Sequence, residues 1–332
     1  MTKDSTTQDS TTQDSTTQDS TAQASRTWPH HELGKRLSNW GRWGDDDEIG
    51  TLNFVTPEKR VTAAQMVKAG KNFDLGMPFD KDGPFLPGGF RINPVHVMTF
   101  LPSDTAGAPD GMIAADDMVT MGLQAATQWD SLAHVGYDGL FYNNVPQRAV
   151  NSMFGATRNS FAKAVGHLIS RGVLLDIARL KGVDRLDDSY EITSADLVAA
   201  EERQGVRVES GDILMIRTGT YKWFLEGDKA RFMGMEPGMG LDSAEFLHER
   251  EVAAIALDNW ACEVYPCPIP GANIPFHQVA IRDMGLTIGE MFNLEDLAAD
   301  CESDGVWESL FCAPGLKVTG SVGSPITPMA LK

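Results

Sequence analysis

The chain carries several short runs of apolar residues that are bounded by glycine or by charged residues. Examples are "RGVLLDIA" from Arg171, "GDILMIRTG" from Gly211 and "VAAIALDNW" from Val252. Runs of this length and continuity are typical of strands that are buried on both faces of a sheet. The pattern therefore predicts a central sheet whose strands lie in the interior.

Segments with the helical spacing of apolar residues lie before and between these runs. "TPEKRVTAAQMVKA" begins at Thr56, which is followed by proline, and Gly70 is expected to end the helix. "SADLVAAEERQG" has Ser194 as the expected N-cap and Gly205 as the expected stop, and "DSAEFLHER" begins at Asp242. Alternating strands and helices predict an α/β fold, a single domain with a central mixed β-sheet and flanking helices.

The first part of the chain has a different composition from the rest. The motif "DSTTQ" occurs three times in succession from Asp4 and is followed by "DSTAQ" from Asp19. A segment with almost no apolar side chains cannot bury enough surface to offset the entropy of ordering. We expect residues 1–27 to be a disordered tail and residues 28–332 to form one domain.

Charge and composition exclude several classes of function. The 332 residues carry a formal net charge of −18 at pH 7, whereas binding to a phosphate backbone requires a concentrated basic surface. No uninterrupted apolar run is long enough to cross a bilayer, and the N-terminus lacks the pattern of a secretory signal. The four cysteines have no paired CxxC spacing, so neither a disulfide framework nor a zinc ribbon is indicated. We expect a soluble, cytoplasmic protein that binds neither nucleic acid nor membrane.

Candidate chemistry is concentrated in two distant segments, "QAATQWDSLAH" and "PFHQVAIRDMGLTIGE". The polar residues of the first segment follow neither a helical nor a strand period, which indicates a functional site rather than the polar face of a regular helix or strand. Four side chains of the two segments provide two carboxylates and two imidazoles, a set that can bind a divalent metal and keep one position open for water. These groups belong to Asp130, His134, His277 and Glu290.

Taken singly, each of these residues also fits a purely structural role. A lone histidine such as His134 or His277 is commonly a hydrogen-bonded structural residue. An aspartate such as Asp130 is common in turns and caps. Glu290 could begin a helix with a favourable charge at its N-terminus. The functional interpretation depends on the two segments occurring together with the strand motifs around them.

The segments resemble a known family, the cyclase-like metal-dependent hydrolases that include bacterial kynurenine formamidase and isatin hydrolase. The family motif is His-x-Gly-Thr-His-x-Asp-x-Pro-x-His, and "GVLLDIA", "GDILMIRTG" and "IALDNWACEV" extend the similarity over most of the chain beyond the tail. The resemblance implies a swivelling β/β/α fold and a homo-oligomer, a dimer or a tetramer. Carried over position by position, it implies metal binding by Asp130, His277 and Glu290 and a proton-transfer role for His134.

This sequence departs from the family motif at four positions. Gln124 and Gln128 stand at the two early metal-binding histidines, Ala126 at the glycine and Leu132 at the proline. A glutamine offers only a neutral carbonyl oxygen, which binds zinc more weakly than an imidazole does. We therefore expect one divalent metal, Zn or Mn, rather than two. His96 is a spare imidazole that could substitute for a lost ligand.

The resulting hypothesis is a metal-dependent hydrolase of the amidase or lactonase type. It would open a C–N or C–O bond in a small cyclic amide, lactone or related amide or ester, using metal-activated water and His134 as proton shuttle. Two alternatives stay open: a metal-free small-molecule binding protein on the same fold, and a cyclase or dehydratase. Substrate contacts are expected from Gln124, Gln128, Trp129, Tyr137, Trp260, Trp43 and His96.

Overall fold

The strands of this protein are short, and most of the longer ones belong to one large sheet. The computed structural model describes residues 28–89 and 91–332, so the predicted tail at residues 1–27 lies outside the described residues. In chain order the strands are β1 (Asn72–Asp74), β2 (Val95–Phe100), β3 (Asp116–Thr120), β4 (Gln128–Asp130), β5 (Leu140–Phe141), β6 (Val145–Pro146), β7 (Val150–Asn151), β8 (Gly155–Ala156), β9 (Ile169–Asp176), β10 (Glu191–Ile192), β11 (Ile213–Arg217), β12 (Gly238–Met239), β13 (Ala254–Leu257), β14 (Thr287–Glu290), β15 (Glu308–Cys312), β16 (Gly323–Pro325) and β17 (Met329–Leu331).

The large sheet has nine strands in the order β1-β17-β15-β9-β11-β13-β14-β4-β16. Its centre, β9-β11-β13-β14, is parallel, and both flanks are antiparallel. The three apolar runs of the sequence form β9, β11 and β13, as predicted, and all three strands are almost completely buried. The prediction of an α/β fold with a central mixed sheet and flanking helices is therefore confirmed.

The helices lie on both faces of this sheet. They are α1 (Pro29–Arg36), α2 (Pro57–Ala64), α3 (Ile177–Leu180), α4 (Ser194–Gln204), α5 (Tyr221–Leu225), α6 (Lys229–Phe232), α7 (Ser243–Glu249), α8 (Pro275–His277) and α9 (Glu295–Asp304). A π-helical segment, Gln278–Met284, continues α8. Short 3₁₀ helices cover Gly50–Phe54, Pro102–Thr105, Tyr142–Asn144, Gln147–Ala149 and Phe161–Lys163.

Alternation along the central strands divides the core into two layers. In β11, Leu214 and Ile216 belong to one apolar cluster, while Ile213 and Met215 belong to the other. Successive side chains of a strand point to opposite faces, so a strand that is apolar at every position contributes to both layers. The first layer includes residues of α4, α7 and the π-helical segment, and the second includes residues of α9.

Two helix boundaries differ from the sequence prediction. Thr193, not Ser194, is the N-cap of α4: its hydroxyl accepts the Asp196 N–H, and the Asp196 carboxylate accepts the Thr193 N–H. This reciprocal capping box requires an acidic residue three positions after the cap, and Thr193 has one. The predicted stop at Gly205 is confirmed, since Gly205 adopts the left-handed conformation with φ +65°.

Helix α2 begins as predicted after Thr56, whose hydroxyl accepts the Lys59 N–H, but it ends at Ala64 rather than near Gly70. Beyond Ala64 the chain is exposed or only partly buried. A short helix gains most of its stability from packing, so apolar spacing that has no core to face does not extend it.

No helix of the described residues is long and apolar enough to cross a membrane.

Candidate metal centre and active site

Two neighbouring strands bring together residues that are distant in the sequence. Strand β4 pairs antiparallel with β14, and Gln128 lies directly opposite Glu290 in the register. Gln128 and Asp130 are two residues apart, so their side chains point to the same face of the sheet as that of Glu290. The intervening Trp129 points to the opposite face, into the core.

The third element of the site is the turn at α8, which carries His277. The His277 ring donates from Nδ1 to Glu263 Oε1 at 2.6 Å, and the backbone N–H groups of Phe276 and His277 donate to the same carboxylate. Nε2 is thereby directed at the two strands, 3.3 Å from Glu290 Oε1 and 3.9 Å from Asp130 Oδ2. A carboxylate behind a histidine fixes both its tautomer and its ring orientation.

Asp130, His277 and Glu290 therefore form one buried cluster. One ligand atom from each residue lies within 4.8 Å of those of the other two, and each residue is at most 3% exposed. The predicted catalytic histidine is adjacent, because His134 Nε2 lies 3.7 Å from Asp130 Oδ1. The structure thus brings all four residues of the predicted constellation to one place.

The chemistry of the cluster fits a divalent cation. Both carboxylate oxygens of Asp130 are buried and have no hydrogen-bond partner, and the same holds for Gln128 Oε1. Buried acceptors without donors are costly, so they indicate a cationic ligand. Two carboxylates, one imidazole and one amide oxygen form a set that is richer in oxygen than in nitrogen, which suits Mn at least as well as Zn.

Burial and neighbouring charges shift the pKa values of two residues of the cluster. Burial by itself lowers the pKa of the His277 imidazole, but hydrogen bonds to Glu263 and Glu290 outweigh burial and raise that pKa to about 10. Burial and the nearby Asp130 raise the pKa of the Glu290 carboxyl. A metal ion that binds Nε2 must displace any proton held there.

The two glutamines at the early motif positions have different surroundings. Gln128 donates from Nε2 to Glu290 Oε2 at 2.7 Å, so its amide N–H group is engaged by a site carboxylate rather than directed at substrate. Gln124 instead lines a pocket, and its Nε2 atom is buried without a hydrogen-bond partner. The sequence assigned both residues to substrate contacts, and the geometry is compatible with that role for Gln124.

The pocket beside His134 has a volume of about 340 Å³, which is within the range of small-molecule sites. Its wall comes largely from the base of the β2–β3 hairpin and the segment that leads into β4. The lining residues are Arg91, Ile92, Thr120, Met121, Gly122, Gln124 and His134.

Trp129 and Tyr137, expected as pocket walls, lie elsewhere. Trp129 is fully buried, packs against Phe292 and Phe311 and donates to the Ala313 carbonyl oxygen. It faces the core because neighbouring strand positions alternate between faces. The Tyr137 ring stacks on His31 at 3.9 Å, and its hydroxyl donates to Asp283.

The remaining predicted contacts also lie outside the pocket lining. Trp260 packs against Tyr265 and donates to the Gly234 carbonyl oxygen. Trp43 packs edge-on against Phe54. His96 is exposed on β2, where it pairs with Asp117 at 2.7 Å, and it is not part of the buried cluster.

Sequence reasoning missed two residues of the site, Glu263 and Arg91. Glu263 occurs within the quoted "IALDNWACEV" segment, but nothing in its spacing links it to His277. Arg91 precedes the hairpin by a few residues, and its place in the pocket depends on the Nη1 hydrogen bond to the Gln124 carbonyl oxygen. The positions of Glu263 and Arg91 are set by contacts between distant parts of the chain, which no local motif predicts.

Comparison with known proteins gives a consistent result. The profile of the family described as "Putative cyclase" matches residues 73–264, more than half of the chain. A crystal structure described as a novel cyclase superposes with a TM-score of 0.83 at 39% identity, covering 90% of this chain and 99% of that one. A search of curated proteins finds no match.

Two isatin hydrolases have the same fold at lower identity. Isatin hydrolase A from Ralstonia solanacearum gives a TM-score of 0.60 at 20% identity, covering 83% of this chain and 98% of its own. Isatin hydrolase A from Labrenzia aggregata, bound to benzyl benzoate, gives 0.59 at 18% identity, covering 78% and 93%.

Proposed function

The chain belongs to the cyclase family, and on that premise we propose that it is a metal-dependent hydrolase. The reaction would open a C–N or C–O bond in a small cyclic amide, lactone or related amide or ester. The observation that carries the proposal is the Asp130 carboxylate. It is buried, has no hydrogen-bond partner, and lies between His277 and Glu290 on one side and His134 on the other.

The residues divide into those that hold the ion and those that orient them. Asp130, Glu290 and His277 Nε2 would bind one Zn or Mn ion. Glu263 holds the His277 ring through Nδ1, and Gln128 holds Glu290 through Oε2. When bound, a divalent cation supplies a Lewis acid that lowers the pKa of water and polarises a carbonyl.

His134 is the residue that would move the proton. Its Nε2 faces Asp130, its side chain is 23% exposed, and it lines the pocket, so the ring contacts both the centre and the substrate space. An imidazole in this position can accept a proton from the attacking water and return it to the leaving nitrogen or oxygen. The pocket of about 340 Å³ suits a small organic molecule.

Metal content tests this proposal most directly. We expect elemental analysis of protein purified without chelator to find one Zn or Mn per chain. His277→Ala should lose the ion, because it removes the imidazole and leaves too few protein ligands to hold the ion tightly. His96→Ala is the matched control: it removes an exposed imidazole on β2 and should keep the ion.

The loaded protein would then be screened against lactones, cyclic amides and formamides. Turnover that disappears in His277→Ala and persists in His96→Ala supports the hydrolase. Absence of metal from the wild-type protein under all conditions contradicts it and favours the metal-free small-molecule binding protein. The cytoplasmic location and the homo-oligomeric state expected from the sequence remain predictions within this proposal.

A further inference from the structure

Strands β4 and β14, which carry Asp130 and Glu290, are paired over a very short distance. Their register contains two residue pairs, Gly289 with Trp129 and Glu290 with Gln128. Carboxylate oxygens of Asp130 and Glu290 lie within 4.8 Å of each other, so the two groups repel when both are charged. A further contact at the end of this short ladder would keep the two carboxylates at a fixed separation.

The ladder ends because Met291 leaves the extended conformation. Its φ is +60°, in the left-handed region that residues other than glycine rarely adopt. A backbone in this region costs free energy and persists only where the surroundings enforce it. Both backbone polar groups of Met291 are engaged. Its N–H donates to the Asn259 carbonyl oxygen at 2.8 Å, and its carbonyl oxygen accepts the Thr127 hydroxyl at 2.6 Å.

Thr127 makes this second contact with its side chain instead of its backbone. It is completely buried and directly precedes β4. Its hydroxyl donates to the Met291 carbonyl oxygen and accepts the Met77 N–H at 2.7 Å, so it both donates and accepts a hydrogen bond inside the protein. The hydroxyl therefore continues the attachment of β4 to β14 by one position, at the point where backbone pairing has stopped.

We propose that Thr127 is a positioning residue of the metal centre. Its hydroxyl fixes the turn of the chain directly after Glu290, and with it the separation between the Glu290 and Asp130 carboxylates. Loss of the hydroxyl would leave the Met291 carbonyl oxygen and the Met77 N–H unpaired in the interior, and the two strand ends would be free to move apart. This role rests on the proposed metal-dependent function, because it concerns how tightly the ion is held.

The metal affinity of Thr127 variants tests this role. Thr127→Val keeps the shape of the side chain and removes the hydroxyl, and we expect it to weaken Zn or Mn binding by about 10- to 100-fold, as is typical for residues that orient metal ligands. Thr127→Ser keeps the hydroxyl and should bind the ion nearly as tightly as the wild-type protein does. Competition with a chromogenic chelator measures the affinities, and urea unfolding measures the stability of each variant.

Thr51→Val is the matched control. Thr51 is also buried, and its hydroxyl donates to the carbonyl oxygens of Ala253 and Gly285. Ala253 and Gly285 precede β13 and β14, so this contact lies at the opposite end of β14 from Glu290. Thr51→Val should therefore lose stability as Thr127→Val does, yet keep the metal affinity of the wild-type protein.

Weakened binding in Thr127→Val, with near-normal binding in Thr127→Ser and Thr51→Val, supports the positioning role. If Thr127→Val does not fold, Thr127→Ala takes its place, because alanine and serine differ only in the hydroxyl. Unchanged affinity in the variant without the hydroxyl overturns the role and leaves the hydrolase proposal intact. Equal weakening in Thr127→Ser or in Thr51→Val also overturns it, since the hydroxyl of Thr127 would then not be the cause. A wild-type protein that binds no metal overturns both proposals.

Discussion

His134 is the residue that connects the buried cluster to the pocket. It is the partly exposed histidine beside Asp130, and its backbone N–H donates to the Ser131 carbonyl oxygen in a tight turn after β4. His134→Ala should therefore keep the metal and the fold but reduce kcat by about 10²- to 10⁴-fold, as expected for loss of a general acid or base. Steady-state kinetics on a substrate from the screen, with metal analysis alongside, would measure both quantities.

Either of two results would refute this role for His134. Full activity in His134→Ala would show that another group carries the proton. Loss of the metal from the same variant would make His134 a ligand, which its 3.7 Å separation from Asp130 Oδ1 does not itself exclude. A variant that keeps the metal and regains rate with added imidazole would support proton transfer.

Glu263 orients His277, which is one of the proposed metal ligands. Its carboxylate accepts three hydrogen bonds from α8, two from backbone N–H groups and one from His277 Nδ1. Glu263→Gln should weaken metal affinity by about 10- to 100-fold, because the ring loses its charged acceptor. Asp283→Asn is a suitable control, since Asp283 is a buried carboxylate of the adjacent π-helical segment that bonds Tyr137 instead.

Competition with a chromogenic chelator would give the metal affinities of the Glu263 variant and its control. Equal affinity in Glu263→Gln and the wild-type protein would mean that the two backbone contacts alone hold α8. Equal losses in both variants would point to general loosening of the segment rather than to orientation of His277.

For single residues, the sequence predicts the members of the buried cluster better than the residues that orient them. Asp130, His277 and Glu290 are predicted because they lie in two segments that offer carboxylate and imidazole groups and that resemble the family motif. Glu263 was not identified, because an acidic residue in a loop has no local pattern that names its partner. Trp129 is predicted, with other aromatic residues, to form a pocket wall, but strand alternation places it on the opposite face.

Among the elements, α1 packs closely against the π-helical segment that follows His277. His30 Nε2 contacts Gln278 Oε1 at 3.1 Å, and just beyond α1 the Trp40 indole donates to the Arg282 carbonyl oxygen. At Gly34 the two elements are so close that a Cβ atom would overlap the Asp283 carboxylate. The buried Asp283 is itself held by Tyr137, so it has little room to move.

Gly34→Ala should therefore destabilise the protein despite the better helix propensity of alanine. We expect a net loss of about 1–2 kcal/mol in the free energy of unfolding, since overpacking exceeds the propensity gain. Gly166→Ala is the control, because a Cβ there meets nothing within 4 Å, and it should change stability by less than about 0.5 kcal/mol. Urea unfolding would measure both variants.

A stabilised Gly34→Ala protein would mean that α1 can move away from the π-helical segment at little cost. Metal affinity shows whether α1 also influences the site. If the packing of α1 fixes the segment after His277, Gly34→Ala should lower metal affinity as well as stability. Unchanged metal affinity with reduced stability would confine the role of α1 to folding.

The strands that the sequence predicts correctly are those built around a continuous, buried run of apolar residues. The continuous apolar runs of β9, β11 and β13 are typical of interior strands, given their length and their flanking glycines or charges. Strand β4 was not identified, because its three residues include two buried polar side chains that serve the site. Buried polar residues such as Gln128 and Asp130 interrupt the apolar pattern of a strand, so rules based on that pattern do not identify β4.

For the whole molecule, the β2–β3 hairpin is a part that the rest of the fold covers little, since nearly all of its strand residues are exposed. Val95, Val97 and Met118 lie on one face of it and are each about half exposed. A two-stranded hairpin is only marginally stable without further packing. The homo-oligomer that the family resemblance implies would give this apolar face a partner.

Light scattering coupled to size-exclusion chromatography should therefore find a dimer or tetramer of the wild-type protein. Val97→Asp should shift it towards the monomer, because a carboxylate on the hairpin face would be costly to bury. Val183→Asp introduces the same charge at a similarly exposed valine outside the hairpin and should leave the mass unchanged. A monomeric wild-type protein at micromolar concentration would contradict the expectation.

The fold class could be predicted for the molecule as a whole, but the strand order could not. Alternating strands and helices indicate a mixed or parallel sheet, since parallel strands require crossover connections. The antiparallel flanks include pairings such as β1 with β17, the first and the last strand of the described chain. Periodicity is a local property and contains no information about such distant partners.

The position of β4 in the sheet has a consequence for synthesis of the protein. Both of its neighbours, β14 and β16, come much later in the chain, and the Gln128–Glu290 bond spans 162 positions. As the chain leaves the ribosome from its N-terminus, the strand that carries Asp130 must wait, unpaired, until most of the polypeptide has emerged. Long-range pairings of this kind form late and leave apolar surface such as that of Trp129 exposed meanwhile. An ion held as proposed by Asp130, His277 and Glu290 could therefore bind only to a nearly finished protein, and its supply would not guide the early steps of folding.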